Sequence, residues 1–107
     1  MPVEEQITEL LRLPDSGTGA PTLARLEDTL TAGYAHALEL EAERLRLERR
    51  LGEVARGAQG NGAEGLAQEL ASLSERMSSA DGELMHLRSL LGSLNDRARL
   101  LRGSASR

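Results

Sequence analysis

The chain of 107 residues has no cysteine, phenylalanine, tryptophan or lysine, and its one aromatic residue is Tyr34. Without cysteine there is no disulfide framework, no thiolate nucleophile and no sulfur-ligated metal. Without bulky aromatics an ordinary globular core lacks its usual filling, so burial falls to leucine and alanine, the residues of coiled coils and simple bundles. No apolar run approaches the ~20 residues of a membrane-spanning helix. The first residues, Met1-Pro2-Val3-Glu4-Glu5, are acidic, unlike the basic start of a secretory signal, so a cytoplasmic location and no membrane partner are expected. The absence of lysine leaves no side-chain amine for acylation or conjugation. Beside abundant Leu, Ala and Gly, it also matches the codon bias of a GC-rich genome.

The dominant positive feature is a heptad stripe. From Leu66 to Leu101 apolar residues recur in alternating steps of four and three: Leu66, Leu70, Leu73, Met77, Ala80, Leu84, Leu87, Leu91, Leu94, Ala98 and Leu101. Such a stripe makes one helix seek another along its length. The same alternation runs through Leu23, Leu26, Leu30, Gly33, Ala37, Leu40, Arg44, Leu47, Leu51 and Val54, with Gly33 and Arg44 as its flaws.

Punctuation divides the chain. Residues 1–13 read as a short amphipathic helix, with Pro2 in the first turn and Val3, Ile7, Leu10 and Leu11 on one face. Residues 14–21, rich in Pro and Gly, form a linker. Residues 22–102 form a long helical hairpin: one helix over 22–56, a Gly-rich loop over 57–62, and a second helix over 62–102 opened by Asn61 and Glu64 as a capping box. Residues 103–107 are expected to form a flexible tail. Gly33, Gly82 and Gly92 are weak helix formers inside the long helices.

A short loop makes the long helices antiparallel neighbours. If facing core residues sum to 117, the flanking pairs are Arg50 with Glu69, Glu43 with Arg76, His36 with Glu83, and Glu27 with Arg88. Sliding one heptad, to 124, opposes Arg50 to Arg76, Glu43 to Glu83 and Glu41 to Asp81. Each exposed pair contributes only ~0.2–1 kcal/mol, but the differences share a sign and select 117.

Further apolar residues lie off the stripe. Ala35, Leu38, Ala42 and Leu45 form a second seam, with Tyr34 between the two, and Met85, Leu90 and Leu100 are off the stripe of the second helix. Apolar residues beyond a and d imply more than a two-stranded seam. The expected fold is therefore all-α: an antiparallel coiled-coil hairpin with a short N-terminal helix, dimerising into a four-helix bundle whose open end that helix caps. The expected partners are a second copy and another helical protein. Tyr34, Ala35, Leu38, Ala42 and Leu45 form the contact surface, with Arg44 as a polar core residue that sets register or partner choice.

Catalysis has little to draw on. No nucleophile is paired to a base by spacing, and a slender helical rod offers few concave pockets. The cations Arg44, Arg46, Arg49, Arg50 and Arg56 alternate with Glu39, Glu41, Glu43, Glu48 and Glu53, so no positive stripe results. With a net charge of −4 and one aromatic, nucleic acid is not an expected partner. Glu83-Leu84-Met85-His86 resembles the Glu-x-x-His pair of ferritin-like di-iron bundles, and the resemblance implies a metal held by Glu83 and His86 with a carboxylate of a neighbouring helix. In the heptad, Glu83 flanks the core and His86 faces water, the pattern of two solvated side chains. A metal-binding bundle is accordingly the alternative reading, and no cofactor is expected. In size and hairpin plan the chain also resembles the small helical proteins of type VII secretion. The likeness is of architecture alone, because Gly60-Asn61-Gly62 stands at the turn where those proteins carry Trp-x-Gly.

Overall fold

The computed structural model describes residues 2–57 and 63–105. Three helices account for most of them: α1 Val3–Arg12, α2 Leu23–Gly57 and α3 Ala63–Ala105. No strand occurs among the described residues, and no helix among them is long and apolar enough to cross a membrane. The class is all-α, as expected. The capping box at Asn61 and the centre of the loop lie outside the described residues. Helix α3 runs on to Ala105, beyond the point at which the sequence suggests a tail.

Local chemistry explains the helix ends. Pro2 enters α1 with φ −59°, and its carbonyl accepts from the Gln6 amide at 3.2 Å. Glu4 and Glu5 sit at the positive end of the α1 dipole and Arg12 at the negative end. Leu13, which precedes Pro14, is extended at ψ 156°, the conformation a following proline favours. The linker turns where the Ala20 amide donates to the Gly17 carbonyl at 3.2 Å, with Gly17 and Gly19 at positive φ. Thr22 then caps α2, its Oγ1 accepting from the Arg25 amide at 3.1 Å.

The described chain packs as two compact units: Met1–Leu38 with Met85–Arg107, and Glu39–Leu84. The first has a three-helix core. Ile7 and Leu10 of α1, Leu26 and Leu30 of α2, and Leu87, Leu91, Leu94 and Ala98 of α3 are all buried. Gly33 permits the closest packing: a Cβ there would collide with Leu91 Cδ2 and lie 3.4 Å from Ile7 Cδ1. A flaw in the α2 stripe is thus the place where α1 and α3 both reach α2. Glu4 bonds His36 of α2 at 3.2 Å, while the far end of α1 meets Arg97 of α3. These contacts lay α1 alongside the pair, parallel to α3 and antiparallel to α2, and not across an open end as the sequence suggests.

The second unit is a helix pair. Leu47, Val54 and Leu73 are buried, and Leu51, Leu66, Leu70 and Met77 pack against them. Arg50 bonds Glu69 at 2.8 Å and Arg76 bonds Glu43 at 3.5 Å, two of the pairs required by the 117 register.

In the first unit the pairing is different. Glu27 meets Arg102 at 3.2 Å, where Arg88 is expected, and Gly33 abuts Leu91, so neither contact is one that the 117 register requires. The cause is visible in the charges. Every repulsion that disfavours the 124 register involves residues between 41 and 83, so in the first unit only the attraction of Glu27 for Arg88 favours 117, and Arg102 offers Glu27 the same attraction. In the first unit, packing decides: the absent side chain of Gly33 accommodates Leu91.

Candidate interaction surface

The off-stripe residues of α2 remain uncovered. Tyr34 is 49 % exposed, Leu38 67 % and Leu45 49 %, with Ala35 and Ala42 exposed as well. Helical spacing puts Tyr34, Ala35 and Leu38 on one face of α2 in the first unit, and Ala42 and Leu45 on one face of it in the second. The buried stripe of α2 and the contact with α1 lie elsewhere on that helix. Met85 and Leu100 of α3 are also exposed, at 72 % each, whereas Leu90 is half-buried. Scattered apolar residues are ordinary on a surface; those of α2 differ in recurring at helical spacing.

Arg44 occupies its core position without entering the core. Its side chain is 41 % exposed, and its Nε donates to Asp81 Oδ1 of α3. Its charged head meets an anionic partner within the second unit. Arg44 is thus engaged inside the chain and does not belong to the uncovered stripe.

Glu83 is an exposed residue on α3. His86 is also exposed and borders a hollow of about 360 Å³ lined by Glu4, Glu5, Thr8, Glu9 and Arg12. His36 is half-buried and bonds Glu4. A second hollow, about 330 Å³, is mainly apolar and lies between Pro14, Pro21, Leu26, Leu100 and Leu101, with Arg97 at its wall. Among the described residues no buried side-chain nitrogen or oxygen lacks a hydrogen-bond partner.

One organising residue carries no motif that marks it in the sequence. Arg97 of α3 caps the end of α1: its Nη1 donates to the carbonyls of Leu10 at 2.8 Å and Leu13 at 2.9 Å, and its Nη2 to that of Leu11 at 2.6 Å. Asp15 Oδ1 lies 3.0 Å from the same guanidinium. The last carbonyls of any helix need donors from outside it. Here Leu13-Pro14 follows α1 with no glycine, and the local closure is the Leu13 amide donating to the Leu10 carbonyl at 3.2 Å. That unmet need was the signal in the sequence; the dipole of α3 explains Arg97 equally well from sequence alone. No protein-family model, curated protein or solved structure matches the chain.

Proposed function

We propose that the chain is a non-catalytic coiled-coil adaptor or scaffold. It self-associates, as a homodimeric four-helix bundle in the cytoplasm, and engages a further helical protein. The observation that carries this reading is the uncovered stripe of Tyr34, Leu38 and Leu45 on α2, flanked by Ala35 and Ala42. Burying such residues against another helix is favourable by ~25 cal/mol per Å² of apolar surface removed from water. Small residues at 35 and 42 let a partner backbone approach closely. Arg44, paired with Asp81, contributes by holding the hairpin in one arrangement and leaves the contact itself to the apolar stripe.

The test is the double substitution Leu38→Glu with Leu45→Glu. Association is expected to weaken while circular dichroism keeps its helical signal, because neither side chain supports the buried core. Unchanged assembly would remove the stripe from the reading. The competing reading, a metal-binding bundle using Glu83 and His86, draws on the carboxylates of Glu4, Glu5 and Glu9 around the His86 hollow. It requires stoichiometric uptake of a divalent cation that Glu83→Ala or His86→Ala abolishes. The adaptor reading requires neither.

A further inference from the structure

We propose that α1 is a removable occupant of a helix-binding groove formed by α2 and α3 in the first unit. The groove accepts from outside an amphipathic helix of the same chemistry: two apolar residues three apart, a carboxylate one turn ahead of the first, and unsatisfied carbonyls at its C-terminal end. This surface is separate from the outward stripe of α2, and the inference does not rest on that stripe.

The groove is defined by what it does to α1. Its floor takes Ile7 and Leu10 to 0 % and 1 % exposure, with Ile7 over Gly33 and Leu91. At one end His36 Nε2 receives the Glu4 carboxylate at 3.2 Å. At the other, Arg97 bonds three carbonyls, all of them main-chain. A guanidinium reading backbone oxygens recognises a helix terminus and not a particular side chain. Any helix that brings an apolar pair and a free C-terminal end therefore meets the same receptors.

The occupant is weakly committed to its seat. Helix α1 has ten residues, fewer than an isolated helix needs to persist in water. It relies on α3 for its end cap. Its tether holds Pro14 and Pro21 with Gly17 and Gly19, and both glycines have positive φ and no heavy atom within 4 Å of an added Cβ. Short elements with few buried residues open at lower free energy than the core they cover. While tethered, α1 is present at an effective concentration on the order of mM, so it holds off an external helix until it opens. The groove is thus gated by a segment of its own chain.

The probe is a fluorescent peptide of residues 2–16, titrated by anisotropy into three full-length proteins: the parent chain, Ile7→Asp with Leu10→Asp, and that double variant with Arg97→Ala added. The double substitution evicts the resident α1. It is expected to raise peptide affinity at least tenfold over the parent, with a helical signal reduced by no more than the share of α1. Adding Arg97→Ala is expected to remove at least tenfold of that gain. Equal binding to parent and double variant, or no binding to a double variant that stays helical, would overturn the proposal. So would collapse of α2 and α3 in the double variant, since α1 would then be part of the fold and not an occupant. Light scattering on the same samples reads self-association separately, so a monomeric protein that binds the peptide contradicts the α2 stripe and leaves the groove intact.

Discussion

Single residues in this chain are best understood by what their absence of bulk or their excess of donors permits. Gly33 is a helix-interior glycine that costs α2 up to ~1 kcal/mol in propensity relative to alanine, yet an added Cβ would press into Leu91, itself only 3 % exposed. Gly82 and Gly92 on α3 face open space. The expected outcome is opposite in sign: Gly82→Ala and Gly92→Ala each stabilise by about 0.5–1 kcal/mol, while Gly33→Ala lowers the midpoint of urea unfolding. Arg97 is the reverse case, a side chain with many donors in a demanding place. Arg97→Ala removes a donor from three carbonyls at the end of α1, leaving Leu10 its bond from the Leu13 amide, and is expected to cost about 2 kcal/mol, measured by urea unfolding. Arg97→Lys recovers little, because a point-charge ammonium lacks the planar fork that spans three carbonyls. Asp15 adds little to this clasp, since its side chain is 79 % exposed. Sequence reasoning identified Gly33 as a flaw in the stripe but not as a contact point. It reads Arg97 only against the dipole of its own helix, α3, and not as the cap of α1. Both errors have one cause: periodicity reports a residue's own helix, and says nothing of a third element lying against it.

For the helices, legibility follows the strength of the local signal. The α1 and α2 boundaries are readable because Pro2, Pro14 and Thr22 each have a single conformational consequence. The hairpin pairing of the second unit is readable because charges there repel in the wrong register, and Arg50–Glu69 and Glu43–Arg76 form as expected. In the first unit no such repulsion operates, and Glu27 pairs with Arg102 instead of Arg88. These ion pairs select an arrangement without adding much stability. In a double-mutant cycle Arg50 with Glu69 is expected to couple by less than ~1 kcal/mol, and to lose most of that at 1 M salt. A larger coupling that persists in salt would mean that charge, and not the leucine seam, holds the second unit together.

The whole molecule poses the question of what covers α2. Its inward stripe is satisfied within the chain, but Tyr34, Leu38 and Leu45 face outward. Leucine at 67 % exposure between two alanines has no role in either core, so the proposed function assigns it to a second chain. This part of the argument was open to sequence reading, because residues off a heptad stripe are visible in the spacing itself. The occupied groove beneath α1 was not, because nothing in the pattern of Ile7 and Leu10 states which face receives them. The most direct measurement is the molar mass in solution, by light scattering behind a sizing column, of the parent chain and of Leu38→Glu with Leu45→Glu. The account predicts a parent mass about twice the 11.5 kDa of one chain, and a single-chain mass for the helical double variant. A parent that stays at the mass of one chain across micromolar concentrations would contradict self-association through this stripe.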